Sequence, residues 1–310
     1  MKTIAVWLTH KLVSCWNFED KHCRRLKEAL ASVDIRVCRS KDELLSSLPD
    51  VDTVITWVFK QEWFARAPHL KRIITPAAGR DFLQVQPPEG ISINFSSFHG
   101  RIISESVLAM ILSHARGIQK AFSLQQTKKW PRAEISPMLR LVKDSRITLL
   151  GFGNIGRSIG RLAKTFGARL YGVKRRPSPA PDFFTTGDFI IPVNKLDSLL
   201  PESDHLVLCL PNTPETTNIL NRQRLRLLPP HAGIYNVGRG NAIDDEALLE
   251  FLRSRPLSSA YLDVFRQEPL PEDSPLRSCP NCLIMPHASA IAPEFMDFFI
   301  EDFLTHHSAC

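Results

Sequence analysis

Leu149-Leu150-Gly151-Phe152-Gly153-Asn154-Ile155-Gly156 is an apolar run that opens into GxGxxG and then into a segment with Ile159, Leu162, Ala163 and Phe166 at helical spacing. A glycine-rich turn between a strand and an amphipathic helix is the context a dinucleotide-binding loop requires. Gly151 permits the tight turn, Gly153 lets the backbone approach a pyrophosphate, and Gly156 lets the helix pack close to the strand. The helix N-terminus, at Asn154 and Ile155, adds amide donors and partial positive charge for the phosphates. These residues are therefore candidates for cofactor binding.

Downstream of this loop, β-type runs recur at Leu170 to Val173, Phe189 to Ile191, Leu206 to Leu210, Gly233 to Val237, Ala260 to Asp263 and Leu283 to Met285. With Ile147 to Leu150 they make seven strands, enough for a full dinucleotide-binding sheet. Upstream, Thr3 to Leu8, Asp34 to Val37, Val51 to Trp57, Arg72 to Thr75 and Ile91 to Asn94 alternate with amphipathic stretches at Lys21 to Leu30 and Lys41 to Leu48. Strand and helix alternation predicts parallel sheets covered by helices. Between the two series, Val107, Ile111, His114 and Ile118 form one stripe of a longer helix from Ser104, followed by a Pro- and Lys-containing stretch, Lys128 to Pro137. A length of 310 residues fits two domains.

The opening apolar run stops at Leu8, too short for a secretory signal or a spanning helix, so a cytoplasmic chain without membrane contact is expected. Seven scattered cysteines (15, 23, 38, 209, 279, 282, 310) point to reduced thiols. Cys279 and Cys282 form a lone CxxC with no second pair, so no metal site is expected. The net charge of +7 is dispersed rather than interleaved with aromatics, which speaks against nucleic acid as a partner.

One local cluster carries more meaning. In dinucleotide-binding sheets the second strand ends on an acidic residue where a ribose 2′-hydroxyl is read. Here that place is held by Lys174, followed by Arg175 and Arg176, which would attract a 2′-phosphate. NADP(H) is thus preferred, with NAD(H) possible.

Three further polar residues follow strands of the second series. Arg239 stands in Asn236-Val237-Gly238-Arg239-Gly240, Glu268 precedes Pro269 five residues after Asp263, and His287 follows Pro286. A guanidinium can hold a carboxylate and polarise a ketone, and a histidine oriented by a carboxylate can pass a proton. Taken singly, each fits a solvated surface group as well.

Together with Leu210-Pro211-Asn212-Thr213-Pro214-Glu215-Thr216 and Leu262-Asp263-Val264-Phe265, these ordered stretches resemble the signatures of the D-isomer-specific 2-hydroxyacid dehydrogenase family, closest in character to glyoxylate/hydroxypyruvate reductases. The resemblance runs from about Lys71 to Ala292 and is weaker before it. It implies an α/β fold in which a Rossmann-type cofactor domain (99–288) is inserted into a flavodoxin-like substrate domain (1–98 and 289–310). It also implies that Arg239 binds and polarises a small 2-keto or 2-hydroxy acid, that His287 is the acid or base, and that Glu268 orients it. Asp263 would meet the nicotinamide side, although a strand-end cap is the other reading. Leu210, Pro211, Thr216, Val237 and Gly238 would line the cofactor cleft, and the helix from Ser104 resembles one through which family members form homodimers.

The chain departs from the pattern at Pro76-Ala77-Ala78-Gly79-Arg80-Asp81, where family members usually carry a glycine-rich loop whose amides meet the substrate carboxylate. Ala78 and Gly79 are the substrate-binding candidates there. Arg80 replaces an apolar residue and either favours a second anion or points to solvent. Trp57 and Phe59 are either substrate walls or core. Glyoxylate or hydroxypyruvate reduction is the leading reading; D-lactate or phosphoglycerate oxidation, or a non-catalytic cofactor sensor, are the alternatives.

Overall fold

The computed structural model describes residues 2–125, 130–176 and 178–306. Residues 128 and 129 of the Lys128 to Pro137 stretch, and Cys310, lie outside the described residues. The chain divides into two compact units, Met1–His99 with Ile291–Cys310, and Gly100–Ala290.

The first unit is a five-stranded sheet of β1 (Lys2–Trp7), β2 (Val33–Val37), β3 (Thr53–Thr56), β4 (Arg72–Thr75) and β5 (Ser92–Phe95), in the order β2-β1-β3-β4-β5. All pairings are parallel. Helices α1 (Asp20–Ala29) and α2 (Lys41–Ser47) connect the early strands. Ala5, Val54 and Ile73 pack with Leu44 and Leu48 in its core. Phe59 belongs to that core, 4% exposed, its ring 5.5 Å from Trp63 and 4.9 Å from Phe64. Trp57 is also buried, with its indole N–H donating to the Trp16 carbonyl at 3.1 Å. After β4, Ala77 is buried and its carbonyl accepts from Ser96 N, while Ala78 and Arg80 are exposed.

The second unit begins with α3 (Gly100–Ala115), α4 (Ile118–Leu124) and α5 (Arg132–Ile135). Its sheet contains β6 (Arg146–Leu150), β7 (Arg169–Lys174), β8 (Phe189–Pro192), β9 (His205–Leu208), β10 (Gly233–Asn236), β11 (Ser259–Leu262) and β12 (Cys282–Ile284). Their order is β12-β11-β10-β9-β6-β7-β8, parallel throughout. Helices α6 (Asn154–Lys164), α7 (Leu196–Leu199), α8 (Arg222–Leu227) and α9 (Asp245–Ser254) follow β6, β8, β9 and β10, and α10 (Phe295–His306) returns to the first unit. Because helices cover both faces, the strands are apolar on both sides: β9 and β10 are buried at every position. Leu149, on β6, is fully buried, and truncating such a side chain to alanine costs about 2–5 kcal/mol.

The helical stripe expected to reach Ile118 ends sooner. Val107, Ile111 and His114 are buried on α3, but Gly117 adopts φ +60° and turns the chain out of the helix. Ile118 then starts α4 and is 55% exposed. A left-handed residue redirects the helix axis, so the apolar periodicity continued where the helix did not.

Candidate active site

β10, β11 and β12 are neighbours in a parallel sheet, so their carboxyl ends share one edge. Arg239 follows β10, Asp263 and Glu268 follow β11, and His287 follows β12. The glycine loop after β6, Lys174 at the end of β7, and Leu210-Pro211 after β9 lie along the same edge. Open parallel sheets bind ligands there, where the strand order reverses.

Two glycines set the Arg239 turn. A Cβ on Gly238 would lie 2.5 Å from Leu210 N, and one on Gly240 would lie 1.9 Å from the carbonyl carbon of Phe265. The turn is thus pressed between the segments that leave β9 and β11. Val237 is buried, and its N–H donates to Leu208 O at 3.1 Å. Arg239 itself is half-buried and donates from Nη1 to Gly238 O at 2.8 Å.

Glu268 and His287 come together. Nδ1 of His287 lies 2.7 Å from Glu268 Oε2, while Phe265 N donates to Glu268 Oε1 at 2.9 Å. The carboxylate is therefore held through both oxygens, and the imidazole keeps Nε2 for a reaction partner. His287 has φ +53°, and its own amide donates to Asp263 O at 2.9 Å. A non-glycine residue in that region is held there by its surroundings.

Asp263 does much of the holding. Its side chain is 2% exposed and accepts from Ala288 N at 2.7 Å and from Ser289 N at 3.1 and 3.2 Å. Ser106 Oγ, on α3, donates to Ser289 O at 3.1 Å. The Asp263 carboxylate thereby engages the loop that carries His287. Asn236, not singled out from the sequence, also belongs to the site. It is 1% exposed, accepts from Gly238 N at 3.1 Å and donates to Arg239 O at 3.0 Å. The signal that could have found it is an asparagine at a strand end two residues before a glycine, where Asx-type turns form.

The glycine loop suits a dinucleotide. Gly151 has φ +99°, a Cβ on it would lie 2.5 Å from Cys209 O, and one on Gly156 would lie 2.5 Å from Gly151 O. At Gly153, which precedes α6 and offers it no side-chain cap, no heavy atom beyond the adjoining residues lies within 4 Å of the Cβ position. Open space above uncapped amides is what a pyrophosphate needs. Lys174 Nζ donates to Ser178 Oγ at 3.1 Å, and Arg175 and Arg176 are exposed. Thr216 is buried, and its hydroxyl donates to Pro211 O at 2.7 Å, so it shapes the Leu210–Thr216 turn. Ala78 and Gly79 belong to the other unit.

Among the described residues, no group of three or more His, Cys, Asp or Glu is placed to hold a metal. Burial pushes the Cys282 thiol up to about 12 and raises Cys279 as well. Among the described residues, no helix is long and apolar enough to cross a membrane.

Residues 108–289 match the family model of the D-isomer specific 2-hydroxyacid dehydrogenase NAD binding domain. The chain is 31% identical over 259 residues to a glyoxylate reductase of Thermococcus onnurineus, covering 80% of this chain and 76% of the relative. It is 31% identical over 241 residues to a glyoxylate/hydroxypyruvate reductase B of Pectobacterium atrosepticum, covering 76% and 73%. Among solved structures, it resembles a D-isomer specific 2-hydroxyacid dehydrogenase from Xanthobacter autotrophicus in complex with NADPH and MES, with TM-score 0.79 and 28% identity over 98% of this chain and 94% of that one. With its two parallel-sheet units, glycine loop and paired Glu268 and His287, the chain belongs to the D-isomer specific 2-hydroxyacid dehydrogenase family and is an NAD(P)-dependent oxidoreductase.

Proposed function

We propose that this enzyme reduces a small 2-keto acid, glyoxylate or hydroxypyruvate, with NADPH in preference to NADH. The single observation that carries the reading is the 2.7 Å contact of Glu268 with His287 on the edge that also bears Arg239 and the glycine loop.

The residues divide the work by their chemistry. Arg239 pairs its fork of donors with the keto acid, holding the carboxylate and drawing charge from the ketone oxygen. Glu268 keeps the His287 ring oriented through Nδ1, which leaves Nε2 to give its proton to the oxygen as negative charge develops there. Asp263 holds the backbone just beyond that ring through the amides of Ala288 and Ser289. The reduced dinucleotide, when bound, supplies the hydride. Gly151, Gly153, Asn154, Ile155 and Gly156 receive its phosphates, Leu210, Pro211, Thr216, Val237, Gly238 and Asp263 shape or line its cleft, and Ala78 and Gly79 serve the substrate.

The preference for NADPH rests on charge. Lys174, Arg175 and Arg176 stand where an acidic residue would repel a 2′-phosphate. The proposal includes a cytoplasmic homodimer. Beyond α3, Phe122, Trp130 and Leu141 are 76%, 86% and 69% exposed, an amount of apolar surface that a second copy would cover.

Following NADPH and NADH absorbance in parallel over a panel of 2-keto acids tests the reading. Turnover of glyoxylate or hydroxypyruvate, faster with NADPH, is expected. Binding of NADPH without turnover of any acid would overturn it.

A further inference from the structure

Arg239 has to present its guanidinium to a substrate from a turn of only a few residues, and the question is what keeps that turn in shape. The backbone of Asn236 is the last rung of β10: its carbonyl accepts from Asp263 N at 3.0 Å, so the main chain is fixed in the sheet. Its side chain is left to organise the turn beyond β10. Oδ1 accepts from Gly238 N and Nδ2 donates to Arg239 O, so one carboxamide grips the turn on both sides of the arginine's α-carbon. Arg239 is held in extended backbone, φ −141° and ψ 147°, and its Nη1 rests on Gly238 O.

We infer that Asn236 is a positioning residue for Arg239, fixing the root of the guanidinium so that the 2-keto acid meets it in one place. The inference rests on the substrate role proposed for Arg239. Only a short side chain with both a donor and an acceptor satisfies the two backbone groups. Aspartate keeps the acceptor, loses the donor and sets a carboxylate beside a carbonyl in a buried place. Serine and alanine cannot span the turn. The Asn236 carboxamide bonds to the backbone of the turn that carries Arg239, so its effect on the substrate passes through the placement of that residue, and misplacement of a binding group by about 1 Å is enough to cost up to 10²-fold.

The test uses the full chain with Asn236→Ala, Asn236→Asp, Arg239→Ala and the Asn236→Ala/Arg239→Ala double variant. KM and kcat for glyoxylate are measured beside the Kd of NADPH, read by fluorescence, and the Tm. In Asn236→Ala the KM is expected to rise about tenfold, equivalent to about 1.4 kcal/mol, with the NADPH Kd within about threefold of wild type. In the Arg239→Ala background the same change should add nothing, because residues acting through one another are not additive. An unchanged KM, a parallel loss of NADPH affinity, or full additivity in the double variant would each overturn the inference. Should Asn236→Ala fail to fold, Asn236→Asp carries the same comparison. The proposed function fails separately: there, Arg239→Ala itself would leave the KM unchanged.

Discussion

His287 and Glu268 are separated by nineteen residues in the chain and by 2.7 Å in space. The contact forms because β11 and β12 are adjacent and parallel, so the segments that leave them start side by side. The loop after β11 then turns Glu268 back, with Phe265 N holding one oxygen and leaving the other for the imidazole. Asp263, from the root of the same loop, grips the backbone just beyond His287.

Replacing His287 by Gln removes the proton donor and is expected to lower kcat by about 10²–10⁴-fold, the usual contribution of a general acid. Glu268→Gln keeps the shape and removes the charge, so its loss should be smaller, at least about tenfold. Steady-state rates with saturating glyoxylate and NADPH decide this. Full activity in His287→Gln would remove the catalytic assignment.

Two glycines should behave oppositely. At Gly240 a methyl group meets backbone at 1.9 Å, so Gly240→Ala must shift the Phe265 segment and should cost about 1–3 kcal/mol of stability, visible as a lowered Tm. At Gly153 the space is open, so Gly153→Ala should fold with a Tm near that of wild type and bind NADPH more weakly. An NADPH Kd unchanged in Gly153→Ala would show that the phosphates lie elsewhere.

Arg175→Ala with Arg176→Ala removes two exposed cations while leaving the Lys174–Ser178 contact intact. The KM for NADPH should rise about tenfold, while that for NADH, which lacks the 2′-phosphate, changes little. Equal effects on both cofactors would sink the preference.

Stability should fall on the acid side. Burial lowers His205, fully enclosed at the start of β9, to about 3 from 6.5, helped by the nearby His114. Below pH 6.5 the unfolded chain takes up a proton that the folded chain refuses, so stability is complete above that pH. It is lost as the pH falls, on the order of 3 kcal/mol by pH 4. Asp204 acts in the same direction lower down. Burial raises it, but the His231 hydrogen bond, the Arg146 amide and the Arg146 charge outweigh that and hold it at about 2. Its contribution is present above its unfolded value of 3.8 and lost as the pH drops toward 2. Urea unfolding from pH 7.5 to 4 should show this slope, shallower in His205→Asn. Equal slopes would rule out His205 as its source.

Much of this protein was legible from local pattern. Strand formation and the glycine loop depend on short-range sterics and on apolar periodicity, so Leu149 to Gly156 and the strands on either side announce a parallel sheet by themselves. The order of Arg239, Glu268 and His287 along the chain could be read the same way. Tertiary structure decided what depends on neighbours distant in sequence. It brought Glu268 to His287, engaged Asp263 with the amides of Ala288 and Ser289 and buried Phe59. It also ended α3 before Ile118, where one left-handed glycine outweighed the helical stripe. For the polar contacts the reason is that a side chain's partner is set by which strand ends lie together, and strand order is a property of the folded sheet.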